Sequence, residues 1–486
     1  MLFGTNGVRG KFNELTPELA LMIAQGIGTY FKKNKECKIG VARDARLTGE
    51  CIENAVLSGL VSVGCKVINL GLISSPTAEF MIKKLSLDGL IIITASHNTP
   101  EWNALKVVDS KGISISKERG EKIEKLMEKI KNVEWNEVKS IENYQNSIKE
   151  HEKKILEFID LDKMRNRELK IVLDCGNGTA TTIAPVLFRN MGCKVIELNS
   201  KIDGNFPGRP SEPTKENVSE LIKKVKVEKA DAGIAWDGDG DRVIFVDENG
   251  GYIIGDKVFA LSLIIKIKES KNDLHSRPLS DESDGIKRRG ANMCKFGASS
   301  SSSSRKYPHR ISHKIKKVAT TVATSRIIED ICKEYGKEVV YTKVGAPALS
   351  EVIANKKADF GGEEVGGVIW PEISLAKDGF FTAAKIVEHI SEKKLSEMVS
   401  EIPEYYLEKK KIEIKKEMGN VLDKIKKESL REGWKIKDVD GVRIDFEDGW
   451  VITRTSGTEP VIRIFSEGKT KKIAEELIKK IEKIIF

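Results

Sequence analysis

The chain has 486 residues, 40% apolar and 32% charged, with a formal net charge of +9. That length is too great for one ordinary core and predicts about two to four domains of a soluble globular protein. No apolar run approaches the roughly 18 residues of a membrane span, and the start MLFGTNGVRG has no signal-peptide core, so a cytoplasmic chain is expected.

The seven cysteines (37, 51, 65, 175, 193, 294, 332) are odd in number, form no CxxC pair and sit mostly in apolar settings. Free buried thiols are expected rather than disulfides or zinc. The positive charge is local. Between Asn272 and Lys317 there are 11 Lys or Arg and 4 Asp or Glu, so the excess belongs to one segment and not to a folded face built for nucleic acid.

Phe3–Gly10, FGTNGVRG, is a glycine-rich turn with one arginine, Arg9. Thr16 as N-cap and Pro17 at the first helical position predict a helix to about Lys33. Strand Lys38–Ala42, a helix from Thr48, strand Lys66–Leu70, a helix from Thr77 and strand Leu90–Ile93 follow. This alternation predicts βαβ units on a mainly parallel sheet. The buried run Leu90–Ile93 ends in Thr94-Ala95-Ser96-His97-Asn98-Thr99-Pro100, with Lys106 shortly after. Open α/β sheets place their chemistry at such strand ends. Ser96 is a candidate nucleophile beside an imidazole, although a plain polar surface turn reads equally well from this loop alone.

Lys117 to about Asp160 is highly charged and reads as a helical link. Strand Leu169–Leu173 then leads into DCGNGTA, which reads as a tight packing turn more readily than as a phosphate loop. Ala232–Ala235 leads into Asp237-Gly238-Asp239-Gly240-Asp241-Arg242. Aspartates alternating with glycines let carboxylates converge as the backbone bends, and their hard oxygens suit Mg²⁺. The competing readings are an Asp-Gly hairpin and an EF-hand loop. The latter would place its glutamate at Glu248, but Val243–Val246 reads as a strand.

Gly255–Lys268 reads as a helix. Residues 272–316 carry the serine run Ser299–Ser304 and three of the six histidines (His275, His309, His313), with no periodicity. Such composition cannot bury enough surface to order itself and reads as a disordered insertion, with a His-rich metal site as a distant alternative. A third unit follows: strand Val318–Val322, helix Ser325–Tyr335, strand Glu338–Thr342, a helix from Pro347 and strand Ala358–Gly361. Lys343-Val344-Gly345 and Gly362-Glu363-Glu364-Val365-Gly366-Gly367 end two of these strands. In an extended segment Glu363 and Glu364 point oppositely and cannot share one acid–base reaction, so one of them is expected to face a sugar. A helix Gly379–Glu392 leads to a last region from Ile402, ending in helix Thr470–Ile484. Between its strands lies Arg454-Thr455-Ser456-Gly457-Thr458-Glu459-Pro460, either an anion nest or a polar hairpin.

TASHNTP, DGDGDR, GGEEVGG and RTSGTEP, in this order and spacing, resemble the α-D-phosphohexomutase superfamily of phosphomannomutase/phosphoglucomutase and phosphoglucosamine mutase enzymes. The resemblance covers essentially all of the chain except 272–316. It implies an α/β architecture: three similar α/β domains with mixed, mainly parallel sheets, and a smaller C-terminal α+β domain, around a central cleft. The expected divisions are 1–145, bearing a phosphoserine loop; 146–254, a metal loop; 255–395, a sugar loop with the 272–316 insertion; and 402–486, a phosphate-binding domain.

The implied activity is interconversion of hexose 1-phosphate and hexose 6-phosphate through phosphorylated Ser96 and a bisphosphate intermediate. The resemblance carries over Ser96, His97, Lys106 and Arg242 as catalytic. Arg9, Lys343, Gly345, Glu363, Arg454, Ser456, Gly457 and Thr458 become substrate contacts, and Ser96, Asp237, Asp239 and Asp241 the Mg²⁺ ligands. A hexose 1,6-bisphosphate is the implied activator. The partner is a small sugar phosphate, with no nucleic acid and no membrane. Several family members have serine where this chain has Val365, which removes a hydroxyl donor. The ISLAKDGFFTAAK and GGEEVGGVIWP contexts are most similar to archaeal-type phosphomannomutases, so mannose and glucose are favoured and glucosamine is the alternative. Two other classes are distinguishable in principle: a sugar phosphatase would release phosphate steadily, and a nucleic-acid binder using 272–316 would weaken steeply with salt.

Overall fold

A computed structural model describes residues 2–4, 7–32, 36–275, 315–413, 420–455 and 461–486, with 271–275 as backbone alone. The expected insertion thus falls largely outside the described residues. Four sheets organise the chain. The first contains β1 (Phe3–Gly4), β2 (Gly7–Lys11), β3 (Lys38–Arg43), β4 (Lys66–Leu72), β5 (Gly89–Ile93), β6 (Trp102–Asp109) and β7 (Ile141–Asn143), in the order β1-β2-β6-β5-β3-β4-β7. Helices α1 (Pro17–Lys32), α2 (Gly49–Ser62), α3 (Ser75–Lys84) and α4 (Lys117–Met127) cover it. Thr16 caps α1 as expected, its Oγ1 accepting the Leu19 N–H at 3.3 Å. All five residues of β5 are buried, which is why a continuous apolar run there reads as a central strand.

Helices α5 (Ser147–Leu156) and α6 (Leu161–Arg165) precede the second sheet. Its strands are β8 (Lys170–Asp174), β9 (Lys194–Leu198), β10 (Ala232–Trp236), β11 (Val243–Asp247) and β12 (Tyr252–Ile253), ordered β12-β11-β10-β8-β9. Helices α7 (Ala184–Asn190) and α8 (Ser219–Glu228) belong to this unit, and α9 (Gly255–His275) follows. The third sheet has β13 (Lys317–Thr321), β14 (Glu338–Thr342), β15 (Phe360–Gly362) and β16 (Val368–Ile369), ordered β14-β13-β15-β16, with α10 (Ile327–Glu334), α11 (Ala346–Ala354) and α12 (Gly379–Ile390). After α13 (Leu395–Ser400) comes an antiparallel sheet of β17 (Tyr406–Glu413), β18 (Lys435–Lys437), β19 (Val442–Phe446), β20 (Gly449–Thr455) and β21 (Val461–Gly468). Helices α14 (Val421–Arg431) and α15 (Lys471–Ile485) complete it.

Two expectations change. The link after Lys117 is not helical throughout: β7 interrupts it and pairs in parallel with β4, Val67 opposite Ile141. A charged pattern cannot announce this, because the open edge of β4 supplies the hydrogen bonds. The helix expected to end at Lys268 continues to His275.

The first three sheets repeat one arrangement. Three parallel strands are followed by one antiparallel strand: β6 lies on β5, β11 on β10 and β16 on β15. The loops joining these pairs carry Ser96, the aspartates and Glu363. The same topological position is therefore used three times, at the carboxyl end of the innermost strand.

The second and third units share one continuous apolar core from Ile155 to Ile402. Trp236, at the end of β10, stacks on Phe380 of α12 at 5.7 Å and lies 6.2 Å from Phe188 of α7. Each such pair contributes about 0.5–1.5 kcal/mol beyond burial, and together they fix the root of the aspartate loop. The fourth sheet docks through Trp450 and Ile452 on Val322. Buried Arg443 donates to the Val322 carbonyl at 2.9 Å across the same boundary. Cys37, Cys65, Cys175, Cys193 and Cys332 are buried and in no disulfide, Cys51 is exposed, and Cys294 lies outside the described residues. Among the described residues no helix is long and apolar enough to cross a membrane.

Candidate active site

The three loops open into one cavity of about 290 Å³. Arg9, Thr94, Ser96, His97, Lys106, Asp239, Asp241, Arg242, Gly345, Glu363, Glu364, Val365, Lys377 and Arg454 are among its lining.

Ser96 sits at φ +50°, a left-handed conformation that L-residues adopt at a cost of about 1–3 kcal/mol. Its neighbours enforce that conformation. Thr94 Oγ1 accepts the Ser96 N–H at 2.9 Å and donates to Asp44 Oδ2 at 2.7 Å. Arg46, 1% exposed, donates to the carbonyls of Ser96, Asn98, Thr99 and Trp102 at 2.6–3.0 Å, and its Nε pairs with Asp44 at 3.0 Å. One guanidinium thus holds the whole serine loop. Arg46→Met would leave Asp44 buried without its cation and take the guanidinium from four carbonyls, of which Asn98 keeps the Ser211 hydroxyl at 2.9 Å and Thr99 the Trp102 N–H at 3.2 Å. It is expected to cost about 3–5 kcal/mol, read as a lower denaturation midpoint. Unchanged stability would remove Arg46 from this role.

Ser96 Oγ donates to Asp237 Oδ2 at 2.7 Å. His97 Nδ1 lies 3.5 Å from Ser96 Oγ, at the edge of hydrogen-bonding range, so the aspartate and not the adjacent imidazole is the partner. Burial, followed by the positive Arg242 and Arg9, brings His97 down to about 3 from its ordinary 6.5. An unfolded chain therefore binds a proton at His97 between these values that the folded protein does not. Its contribution to stability is whole above pH 6.5 and is lost as pH falls towards 3. The His97 ring signals of the metal-free, unphosphorylated protein should titrate near 3 in an NMR pH series, and a midpoint at 6.5 would contradict this environment.

The aspartate loop must pass very close to the serine loop. A Cβ on Gly238 would come within 2.7 Å of the Ser96 carbonyl, and one on Gly240, at φ +79°, within 2.6 Å of the Phe380 ring. Ligand oxygens of Asp237, Asp239 and Asp241 lie within 4.8 Å of one another, and all three residues are buried. Burial, then Asp239 and Asp241, pushes the Asp237 carboxyl well up. Burial would raise Asp241 too, but Lys377, Lys106 and Arg242 outweigh it and bring it down to about 2. Asp239 Oδ2 accepts from Ser75 Oγ at 2.6 Å, and Asp241 Oδ2 faces Lys377 Nζ at 3.1 Å. The Oδ1 atoms of Asp239 and Asp241 are buried without hydrogen-bond partners. Orphaned carboxylate oxygens converging with a third carboxylate fit a hard divalent cation.

Arg242 is gripped by both oxygens of Glu212, at 3.0 and 2.9 Å. Its Nε is buried without a hydrogen bond and makes long ion pairs, at 3.9 Å, with Asp237 Oδ2 and Asp241 Oδ1. Arg9 donates to Asn98 Oδ1 at 2.7 Å. Lys106 pairs with Glu79 at 2.6 Å; burial works against its charge, but Glu79, Asp241 and Asp239 hold it above the usual lysine range. Arg454 is oriented by Asp440 at 2.7 Å, and Asp440 also takes the Val344 N–H. Ser456, Gly457 and Thr458 lie outside the described residues.

Two expectations about the third unit are corrected. Lys343 is exposed and does not line the cavity, whereas Val344, Gly345 and Ala346 do. Glu363 and Glu364 do not point oppositely away from one site: both line the cavity. The reason is that 363–367 is a turn, with Gly366 at φ +81° and its N–H donating to the Glu363 carbonyl at 3.3 Å, and not an extended segment. Glu363 pairs with Lys377 at 2.6 Å, and Glu364 accepts from Thr321 Oγ1 at 3.0 Å. Sequence reasoning missed Arg46, Ser75, Glu79, Glu212 and Lys377. Only Arg46 and Lys377 had a local signal, as charges at strand ends or beside a helix start; the others act from elements remote in sequence.

Comparison with known proteins shows the family of the chain. Models of the phosphoglucomutase/phosphomannomutase alpha/beta/alpha domains I, II and III match residues 1–134, 142–251 and 303–406, and that of the C-terminal domain matches 407–484. This chain belongs to the phosphoglucomutase/phosphomannomutase family. A phosphoglucomutase/phosphomannomutase of Thermococcus kodakarensis is 37% identical over 484 residues, covering 98% of this chain and 96% of the relative. A phosphoglucosamine/phosphogalactosamine mutase of Sulfurisphaera tokodaii is 33% identical over 495 residues, covering 100% and 99%. A family member from Burkholderia thailandensis shares the fold at a TM-score of 0.81, with 24% identity, over 99% of this chain and 96% of that one. The chain is accordingly a phosphohexomutase-family enzyme, an isomerase of the mutase type.

Proposed function

We propose that this mutase interconverts hexose 1-phosphate and hexose 6-phosphate through a phosphate carried on Ser96 and a hexose 1,6-bisphosphate intermediate. The observation that carries this reading is Ser96 Oγ bonded to Asp237 at 2.7 Å, at a cavity that Arg9, Lys106, Arg242, Lys377 and Arg454 also line. The strained serine turn presents Oγ to the cavity. Asp237 Oδ2 orients the Oγ hydroxyl for attack on phosphorus, and because that same oxygen would be a Mg²⁺ ligand, the Oγ proton would pass to an oxygen of the transferring phosphoryl group as the new O–P bond forms. Mg²⁺ held by Asp237, Asp239 and Asp241, with the Ser96 phosphate completing its ligands, would offset the charge on the transferring phosphoryl group.

Arg242, whose Nε makes no hydrogen bond, faces that same phosphate. Lys106, charged and 15% exposed, and neutral His97 exchange protons and hydrogen bonds with the sugar hydroxyl beside Ser96. Glu363, with Gly345, takes the sugar hydroxyls. Arg454, with Ser456, Gly457 and Thr458, holds the phosphate that is not in transfer, and Arg9 assists. After the first transfer the bisphosphate turns over within the cavity and returns its other phosphate to Ser96. Escaped bisphosphate would rephosphorylate idle enzyme, which makes it an activator.

Mannose and glucose phosphates are the proposed substrates. Val365 lines the cavity where some family members offer a serine hydroxyl, and relatives of both mutase types cover the chain equally. Mannose, glucose and glucosamine 1-phosphates should be tested with a 6-phosphate readout and a parallel phosphate assay. Turnover of the first two above glucosamine 1-phosphate is expected, with almost no free phosphate. Preference for the aminosugar would replace the substrate, and steady phosphate release would replace the mutase reading with a phosphatase.

A further inference from the structure

The aspartate loop is held from two sides by groups of other units. On one side stands Ser75, the first residue of α3. Its N–H donates to the Asp239 carbonyl at 3.0 Å and its Oγ to Asp239 Oδ2 at 2.6 Å. On the other side Lys377 Nζ lies 3.1 Å from Asp241 Oδ2, and Gly379 packs so closely that a Cβ there would meet the Gly240 carbonyl at 2.7 Å. In each carboxylate the gripped oxygen is Oδ2 and the orphan is Oδ1. The grips therefore decide where the free oxygens point.

Next to each grip begins a buried polar chain that joins them. Ser74 Oγ lies 2.7 Å from Thr77 Oγ1, Thr77 Oγ1 lies 3.0 Å from His151 Nδ1, and His151 Nε2 lies 2.9 Å from Asp378 Oδ2. His151 is 0% exposed and stacks on Phe80 at 5.1 Å. Asp378 is fixed in turn, its Oδ1 accepting the N–H groups of Phe380 and Phe381 at 2.9 and 3.0 Å at the start of α12. Nε2–H donating to the carboxylate leaves Nδ1 to accept from Thr77, whose hydroxyl accepts from Ser74, so every polar atom of the chain is used. The path runs from the first unit, through α5, to the third, and closes on the metal loop at both ends.

We propose that His151 is a positioning residue for the divalent-cation site: by spanning the Ser74–Thr77 turn and the Lys377–Gly379 turn, it fixes the distance between the two grips and hence the aim of the Asp239 and Asp241 Oδ1 atoms. His151 touches neither substrate nor ion; it acts through Ser75 and Lys377. The inference rests on the reading that the three aspartates hold a divalent cation. Ser75 and Lys377 are the groups one bond removed from the ligands, the kind that typically govern metal affinity by about ten- to hundredfold, and His151 acts one step further out, through their chain neighbours.

The test is a direct Mn²⁺ titration of the full-length, unphosphorylated protein, followed by EPR. His151→Phe keeps the ring and its stacking on Phe80 but removes both hydrogen bonds. It is expected to weaken Mn²⁺ binding by about five- to tenfold, the lower end of the effect of groups bonded directly to metal ligands. Thr77→Val opens the chain at another link with little change of shape and should shift affinity in the same direction. His151→Gln, whose amide can still donate to Asp378, should recover part of the loss. A role in stability alone would lower the melting temperature and leave Mn²⁺ affinity at the wild-type value. Folded His151→Phe binding within twofold of wild type would overturn the proposal, and should that variant not fold, unchanged affinity in Thr77→Val would overturn it. A wild-type protein that takes up no Mn²⁺ would defeat the metal reading and this inference together; wild-type uptake with unaffected variants would defeat the inference alone.

Discussion

Ser96→Ala should lose mutase turnover by about a thousandfold or more while remaining folded. The substitution removes one hydroxyl and one hydrogen bond, that to Asp237 at 2.7 Å, and leaves the Arg46 clamp on the loop carbonyls intact. Alanine carries its own cost in a left-handed conformation, but serine at φ +50° bears nearly the same one. Stability should therefore change little. The chemistry should collapse, because among the described residues no other hydroxyl is placed against Asp237. Mass spectrometry of wild-type protein should find one phosphate on part of the population, mapping to Ser96. A hexose 1,6-bisphosphate should raise wild-type activity and fail to rescue the alanine variant. Turnover of the variant within tenfold of wild type would require direct sugar-to-sugar transfer instead.

Metal removal is expected to be as severe. Three buried carboxylates whose ligand oxygens lie within 4.8 Å repel one another unless a cation joins them. EDTA should abolish turnover and Mg²⁺ should restore it. Asp239→Asn removes one charge from the cluster yet leaves an oxygen able to accept from Ser75 Oγ. Most turnover should disappear, but the metal-free variant should melt no lower than metal-free wild type, because like-charge repulsion has been relieved. Added Mg²⁺ should raise the melting temperature of wild type more than that of the variant, since a cation that binds only the folded state stabilises in proportion to the logarithm of its saturation. Full turnover of Asp239→Asn in chelator would reject the cation site.

Much of the fold was legible because its elements are locally encoded. The run GLIII of β5, the Thr16-Pro17 start of α1 and the alternation of strand and helix each report themselves within a few residues. Strand β7 did not, since a three-residue edge strand with every side chain exposed has no apolar pattern to show. The candidate site was legible where a motif is compact. TASHNTP and DGDGDR drew attention to Ser96 and the three aspartates, and the structure brings Ser96 Oγ within hydrogen-bonding distance of Asp237 across 141 residues of chain. Lys343 stands exposed while Val344, Gly345 and Ala346 line the cavity, because a strand end fixes where the backbone goes but not which of the successive residues turns inward.

The sequence by itself determined the chemistry available: a hydroxyl, a cluster of carboxylates on flexible glycines, a glutamate pair and scattered arginines, each at the end of a strand. Only the tertiary structure decided how that chemistry is aimed. Asp237 rather than His97 partners Ser96, Glu212 holds Arg242, and Ser75 and Lys377 grip the aspartates from two other units. The physical reason is range. A turn or a strand is specified by neighbours in the chain, whereas the direction of a buried carboxylate oxygen is set by whichever donor lies closest in space. For Asp237, Asp239 and Asp241 that donor is supplied by an element more than a hundred residues away.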